Sequence, residues 1–207
     1  MADIAVILLA AGESRRMGEA NKLLLPVAGE PLVRRTARLL ASLDNARVTV
    51  VLGHEADEVR AALAGLDVEP TVNPAHAEGQ RSSVYHGLIQ AGNATFSMVT
   101  PADMPRLTAA DCISLIATHR AAPDGSVTMP MRHGPDGTER GNPIMLSGAA
   151  RDEVVSGGIN LGCRGLLDRR PELIQIHTTT SDGFFVDLDT PEAYLAETGC
   201  PVPASVD

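Results

Sequence analysis

The sequence predicts an open, mainly parallel α/β sheet covered by helices. Three observations lead there. Short apolar runs alternate along the chain with segments of helical spacing, the order expected of repeated strand–helix units. The first run, Ile4–Leu9, is apolar without a break and ends at Ala10-Ala11-Gly12, as a strand buried on both faces does. The core must also be aliphatic, because hydrophobic residues make up 44% of the 207 but aromatics only 2%, with no Trp. Such a composition fits a parallel sheet under helices.

The elements follow in order. After Ile4–Leu9, a helix is expected over Pro31–Leu43, where Leu32, Leu39, Leu40 and Leu43 are apolar and Arg34, Arg35 and Arg38 polar. Arg47–Leu52 reads as a second strand, Ala56–Leu66 as a short helix and Val68–Val72 as a third strand. A helix over Ser82–Ala91 could be capped by Ser82 or Ser83. The fourth strand, Phe96–Thr100, is stopped by Pro101 and Pro105, and Ala109–His119 is helical. Later strands are expected at Ser126–Met131, Pro143–Leu146, Leu173–His177 and Phe184–Leu188, with helices at Gly148–Val155, Cys163–Arg169 and Pro191–Thr198. Strands outnumber helices in this half, so an antiparallel excursion is expected there. The polar, glycine-rich segment 132–141 reads as an exposed loop. No repeat or long linker divides the chain, so residues 1–200 are expected to form one domain, with 201–207 a loose tail.

The net charge of −9 argues against nucleic acid and anionic membrane as partners. An acidic protein that binds phosphates must gather positive charge locally, and Arg15, Arg16 and Lys22 do so against Glu19 alone. Three cysteines, Cys112, Cys163 and Cys200, form no C-x-x-C pair, and the six histidines show no zinc spacing. Ile4–Ala11 is too short to span a bilayer and lacks the flanks of a signal peptide. A reduced, cytoplasmic protein is expected.

The loop after the first strand carries the strongest chemical signal. Leu9-Ala10-Ala11-Gly12-Glu13-Ser14-Arg15-Arg16-Met17-Gly18 is small and glycine-punctuated, then basic. Small residues let backbone N–H groups approach phosphates, and Arg16 and Lys22 add charge where a triphosphate would lie. There is no G-x-G-x-x-G, and Gly18 precedes Glu19 rather than Lys, so neither the dinucleotide fingerprint nor the P-loop is present. An ordinary β–α turn with a solvated basic edge is the alternative.

This loop, followed by Lys22-Leu-Leu-Leu-Pro, resembles the signature of the molybdenum cofactor nucleotidyltransferases, and most of all their cytidylyltransferase type. The resemblance extends to about Tyr194. It includes Gly79-Gln80-Arg81-Ser82-Ser83-Val84, Pro101-Ala102-Asp103-Met104-Pro105, Gly141-Asn142-Pro143 and Asp187-Leu188-Asp189-Thr190-Pro191. It implies a Rossmann-like three-layer sandwich of the glycosyltransferase-A type. It also implies transfer of CMP from CTP to the phosphate of molybdenum-molybdopterin, with Mg²⁺ as cofactor and a transient contact with a molybdoenzyme or its chaperone.

The residues can be read beside that resemblance. Asp103 follows the fourth strand at its carboxyl end, where ligands gather in open α/β sheets, and prolines stiffen the turn around it. A rigid carboxylate there suits Mg²⁺, or else organises the turn; the resemblance favours the metal. Asp187 and Asp189 alternate on the expected late strand, so both should face one side. Either can cap the following helix, and by resemblance Asp189 is the second metal carboxylate. The resemblance places the nucleoside against Leu9, Ala10, Ala11, Gly12, Glu13, Ser14, Gly79, Gln80, Ser82 and Ser83. Arg16, Lys22 and Asp103 are expected to be catalytic. Lys22 would serve the α-phosphate, and Arg16 the β- and γ-phosphates. Asn142, Asn160 and Asp187 are expected on the acceptor side. Family members often carry His where Asn142 stands, Asp where Asn160 stands and Ala where Cys163 stands, which keeps other acceptors open. GTP-dependent or sugar-phosphate transfer, and a non-catalytic nucleotide-binding protein, are the alternatives. An oxidoreductase is disfavoured by the missing dinucleotide glycines.

Overall fold

The computed structural model describes residues 3–18, 20–134, 137–157 and 170–203. Its strands are β1 (Ile4–Ala10), β2 (Pro26–Val27), β3 (Glu30–Pro31), β4 (Ala46–Leu52), β5 (Glu69–Val72), β6 (Phe96–Pro101), β7 (Val127–Gly134), β8 (Gly137–Arg140), β9 (Ile144–Ser147) and β10 (Ile174–Thr178). Its α-helices are α1 (Leu32–Ala41), α2 (Ala56–Ala62), α3 (Gln80–Ala91), α4 (Ala109–Arg120), α5 (Gly148–Val155) and α6 (Pro191–Thr198).

β1 takes the centre of the sheet because both of its faces are apolar. Ile4, Val6, Leu8 and Ala10 pack on one side, and Ala5 and Ile7 on the other. β4 and β6 flank it in parallel, and β5 extends the sheet beyond β4. The order is β10-β7-β9-β6-β1-β4-β5, with β8 folded back on β7. β9 runs antiparallel to both neighbours, β6 and β7, whereas β10 is parallel to β7. That is the expected antiparallel excursion.

Helices cover both faces. Val33, Ala37 and Leu40 of α1, Val59 of α2 and Leu115 and Ile116 of α4 close one core; Val84 and Leu88 of α3 with Ala150 and Val154 of α5 close the other. The architecture is therefore a three-layer sandwich with a mostly parallel sheet. Each buried aliphatic side chain contributes roughly 1.5–3 kcal/mol. α3 lies so close to the sheet that a Cβ at Gly87 would stand 2.4 Å from Cγ2 of Ile7. A third cluster of Met17, Leu25, Val27, Leu32, Leu188 and Tyr194 ties α6 to the segment after β1. Tyr194 Oη seals it by donating to Pro26 O at 2.8 Å.

Several expectations need correction. Phe184–Leu188 is no strand: Asp182–Phe184 is a 3₁₀ turn, followed by chain without regular structure up to α6. Phe184 is buried as a plug against His177 and Phe185, and the backbone N–H groups of Phe184, Phe185 and Val186 are spent within the turn, on Ser181 O and Asp182 O, rather than on a strand. Within segment 132–141, residues 132–134 and 137–140 are not loop but paired strand ends of β7 and β8, and their polarity reflects strands that reach beyond the core. Helix α3 begins at Gln80, and neither Ser82 nor Ser83 caps it, since Gly79 occupies that position. Asp189 does not cap α6 either, because Thr190 Oγ1 accepts from Ala193 N. The small β2–β3 hairpin was not anticipated. Of the expected tail, Val202 packs on the third cluster. The expected helix at 163–169 lies outside the described residues.

Candidate active site

The site forms where the chain leaves β1 and β6 at their carboxyl ends. Ala102 N donates to Leu9 O at 3.1 Å and fastens these exits together, while His54 N, just past β4, donates to Ala11 O at 3.4 Å. The first loop then turns through Ser14, which sits at φ 52, and a 3₁₀ turn at Arg15–Met17. The buried Met17 side chain anchors it. Ser14 Oγ accepts from Lys22 N at 3.3 Å, so the loop folds back on the residue that follows it. Asn21 holds the other side, accepting from Leu23 N and donating to Glu55 Oε2.

These supports deliver Lys22 into a carboxylate cluster. Its Nζ donates to Asp103 Oδ2 and, at 2.7 Å, to Asp189 Oδ1. Arg16 Nη2 donates to Asp189 Oδ2. Asp189 arrives there because Leu188 N donates to Asp103 O at 3.0 Å, which lays the C-terminal segment beside the end of β6. Lys22 and Asp103 side chains are each 13% exposed, whereas Arg16 is largely in solvent.

The electrostatics follow from this packing. Burial works against the Lys22 ammonium, but the Asp103 carboxylate and the bonds to both aspartates outweigh it and hold its pKa above the ordinary lysine value. For Asp189 burial pushes upward, and the hydrogen bond and charge of Lys22 with Arg16 outweigh it, leaving the carboxyl below its usual range. At Asp187 the charges of Lys22 and Arg16 are outweighed. Its partial desolvation, then the charges of Asp189 and Asp103, hold its carboxyl above the usual range even though the residue is solvent-exposed. Of the described cysteines, Cys112 is inert: burial, with Asp111 nearby, pushes its thiol up to about 12.

Among the described residues, no three His, Cys, Asp or Glu gather closely enough to hold a metal by themselves. Mg²⁺ does not require that, since it takes one or two carboxylates and completes its shell with phosphate oxygens and water. Asp103 Oδ1 is buried without a hydrogen-bond partner, and such an atom costs about 1–3 kcal/mol unless a ligand satisfies it. The aspartate pair therefore fits a hard divalent cation.

Two cavities meet here, sharing Leu9, Gln80 and Pro101 as walls. The smaller, about 430 Å³, gathers most of the residues expected from sequence: Leu9, Ala11, Gly12, Glu13, Ser14, Arg16, Lys22, Gly79, Gln80, Ser83, Asp103 and Asp189. Ala10 is in the core beneath and supplies no side-chain wall. Ser82 faces the larger cavity, about 1500 Å³, together with Asn142, Arg81, Tyr85, Met129 and Ile144. Asp187 lines neither, and Asn160 lies outside the described residues. Sequence reasoning missed His76 and Asn73. His76 lines the smaller cavity and is packed so tightly that a Cβ at Gly53 would stand 2.7 Å from its Cβ and Cγ. No motif marks it, because its place depends on the close approach of Gly53 and Ala11.

Comparison with known proteins agrees with this geometry. Residues 6–173 match the MobA-like NTP transferase domain. Nicotine blue oxidoreductase of Paenarthrobacter nicotinovorans is 30% identical over 192 residues, covering 90% of this chain and 92% of that protein. Among solved structures, CMP:2-keto-3-deoxy-manno-octonic acid synthetase complexed with CTP superposes with a TM-score of 0.77 at 11% identity, covering 95% of this chain and 97% of that one. Rv0371c of Mycobacterium tuberculosis in complex with manganese gives a TM-score of 0.68 at 21% identity, with 95% and 98% covered. With a family match over most of its length and the corresponding fold, this chain belongs to the MobA-like NTP transferase family and is a nucleotidyltransferase.

Proposed function

We propose that the protein transfers CMP from CTP to the phosphate of molybdenum-molybdopterin and releases pyrophosphate, with Mg²⁺ held by Asp103 and Asp189. The observation that carries this reading is Lys22, buried between those two aspartates at the edge of the cleft walled by the first loop. The backbone of Gly12–Gly18 and Arg16 receive the β- and γ-phosphates. Lys22 stabilises the charge that grows on the α-phosphate during transfer. A bound divalent cation would neutralise phosphate charge and favour in-line geometry. The acceptor phosphate is largely ionised near neutral pH, so no general base is needed.

The larger cavity adjoins the smaller and suits the acceptor, with Arg81 and Asn142 on a wall that mixes polar and apolar residues. The manganese-bound neighbour supports divalent metal dependence, and the CTP-bound one supports a cytidine nucleotide. Residues 1–200 would then act as one domain. Among the described residues no helix is long and apolar enough to cross a membrane. A cytoplasmic location and a transient client, a molybdoenzyme or its chaperone, belong to the same proposal.

A second reading, an oxidoreductase, draws on the name of the relative that spans 90% of the chain, nicotine blue oxidoreductase. Pyrophosphate release, measured with each of four nucleoside triphosphates with and without molybdopterin, separates the two. Release with CTP that depends on molybdopterin supports transfer. No release under any combination refutes it.

A further inference from the structure

Asn73 leaves β5 and is 2% exposed. Its backbone N donates to Leu52 O at 2.9 Å, which fixes it at the end of β4. Its side-chain oxygen accepts from Ala75 N at 3.0 Å. A backbone N–H can only donate, so the amide must turn its oxygen there and its NH₂ the other way. That NH₂ donates to Ser82 Oγ at 3.0 Å and Ser83 Oγ at 3.1 Å, using both of its hydrogens.

The two serines differ in what remains. Ser82 spends its own proton on Ala75 O, at 2.7 Å, or Gly79 O, at 2.9 Å. Ser83 is 4% exposed, lines the smaller cavity, and has no acceptor for its proton among the described residues. A hydroxyl that already accepts from an amide offers its proton to whatever next approaches.

We infer that Asn73 is a positioning residue that sets Ser83 as a hydrogen-bond donor, aimed at an acceptor atom of the nucleoside part of the bound triphosphate. This rests on the nucleotide reading above. The phosphates have their own partners at Arg16 and Lys22, so the Ser83 proton serves the ribose or base. An aspartate at position 73 would still accept from Ala75 N, but its second oxygen would draw the Ser83 proton inward. Ser83 would then present only lone pairs to the cleft.

Calorimetric titration of the full chain with CTP and with tripolyphosphate, both with Mg²⁺, tests this. Asn73→Asp and Ser83→Ala should each weaken CTP at least about tenfold and leave tripolyphosphate unchanged. The double variant should be no weaker than Ser83→Ala, because no hydroxyl remains to be turned. The inference is overturned if Ser83→Ala binds CTP as the parent does, if both ligands weaken equally, or if the two losses multiply in the double variant. Should Asn73→Asp fail to fold, Ser83→Ala decides by the contrast between the two ligands. A parent chain that does not bind CTP overturns the nucleotide reading and this inference with it; a parent that binds, with Ser83→Ala unaffected, overturns this inference alone.

Discussion

Lys22 and Asp189 stand 167 positions apart in the chain and are joined by a 2.7 Å hydrogen bond from Nζ to Oδ1. The same ammonium also bonds Asp103, so in the ligand-free protein it occupies the space between the two carboxylates proposed to hold the metal. On that proposal, metal and lysine would compete for the same carboxylates.

Lys22→Met should therefore tighten Mn²⁺ binding in the absence of nucleotide. Two unit charges about 4 Å apart in water repel by about 1 kcal/mol, and a dication doubles that, so a gain of about thirtyfold is expected. The same variant should lose transfer rate by a larger factor than triphosphate affinity. Metal titration and single-turnover kinetics measure the two effects; unchanged or weaker metal binding would refute the competition.

Asp103→Asn should abolish transfer with the fold intact. The contacts that seat this segment run through backbone, from Leu188 N to Asp103 O and from Thr36 Oγ1 to Ala102 O, so the substitution spares them. Losing a metal carboxylate costs several kcal/mol in the transition state, a rate loss of at least about 100-fold. Near-normal turnover at moderate Mg²⁺ would sink the assignment.

Asp187 predicts a pH effect. Its carboxyl in the folded protein titrates above the usual value, through partial burial and the charges of Asp189 and Asp103. The fold holds this proton more tightly than the unfolded chain does. The group thus favours folding below the ordinary carboxylate range and disfavours it once pH has risen through the raised value. Asp187→Asn should melt slightly higher than the parent at neutral pH without metal, by less than about 1 kcal/mol because water screens an exposed group. The difference should vanish below about pH 4. A variant less stable than the parent at neutral pH would contradict this.

Base choice is expected to favour CTP over GTP. Ala11 is buried on the wall of the smaller cavity, and its methyl narrows the space available to a purine. A steric difference of this size is worth roughly 1–3 kcal/mol, or about 10–200-fold. Competition between the two triphosphates gives kcat/KM directly. Equal use of GTP would refute the preference, and Ala11→Gly gaining GTP use would establish its cause.

Gly53→Ala should lower both stability and nucleotide affinity. The added carbon would lie 2.7 Å from His76 Cβ and 2.8 Å from Ala11 Cβ, so His76 must move off the cavity wall. Overpacking of this kind costs about 1–3 kcal/mol. Thermal melts and CTP titration check the two effects; a variant matching the parent in both would show that this wall is plastic.

How much of this was legible in the sequence differs by region. β1, α1, β4 and β6 announce themselves because each buries a periodic apolar face. Lys22, Asp103 and Asp189 were readable as chemistry, since short motifs flank each of them. Their meeting was not, because it depends on Leu188 N reaching Asp103 O and on the third apolar cluster seating α6. Phe184 and Leu188 mislead for a physical reason: a strand and a plugging turn both bury spaced apolar side chains, and only the partners of the backbone N–H groups separate them. Ser83 looked like a helix cap, and the partner that gives it another role, Asn73, sits ten positions earlier on the other side of a turn.

The joining of Lys22 to Asp189 also bears on the birth of the molecule. A ribosome delivers the first loop early and Asp189 167 residues later, which at about 5–20 residues per second is roughly ten to thirty seconds. Throughout that interval the nascent chain carries Lys22 without one of its two aspartate partners. The arrangement of the ammonium between two carboxylates is thus completed only after residue 189 has been made.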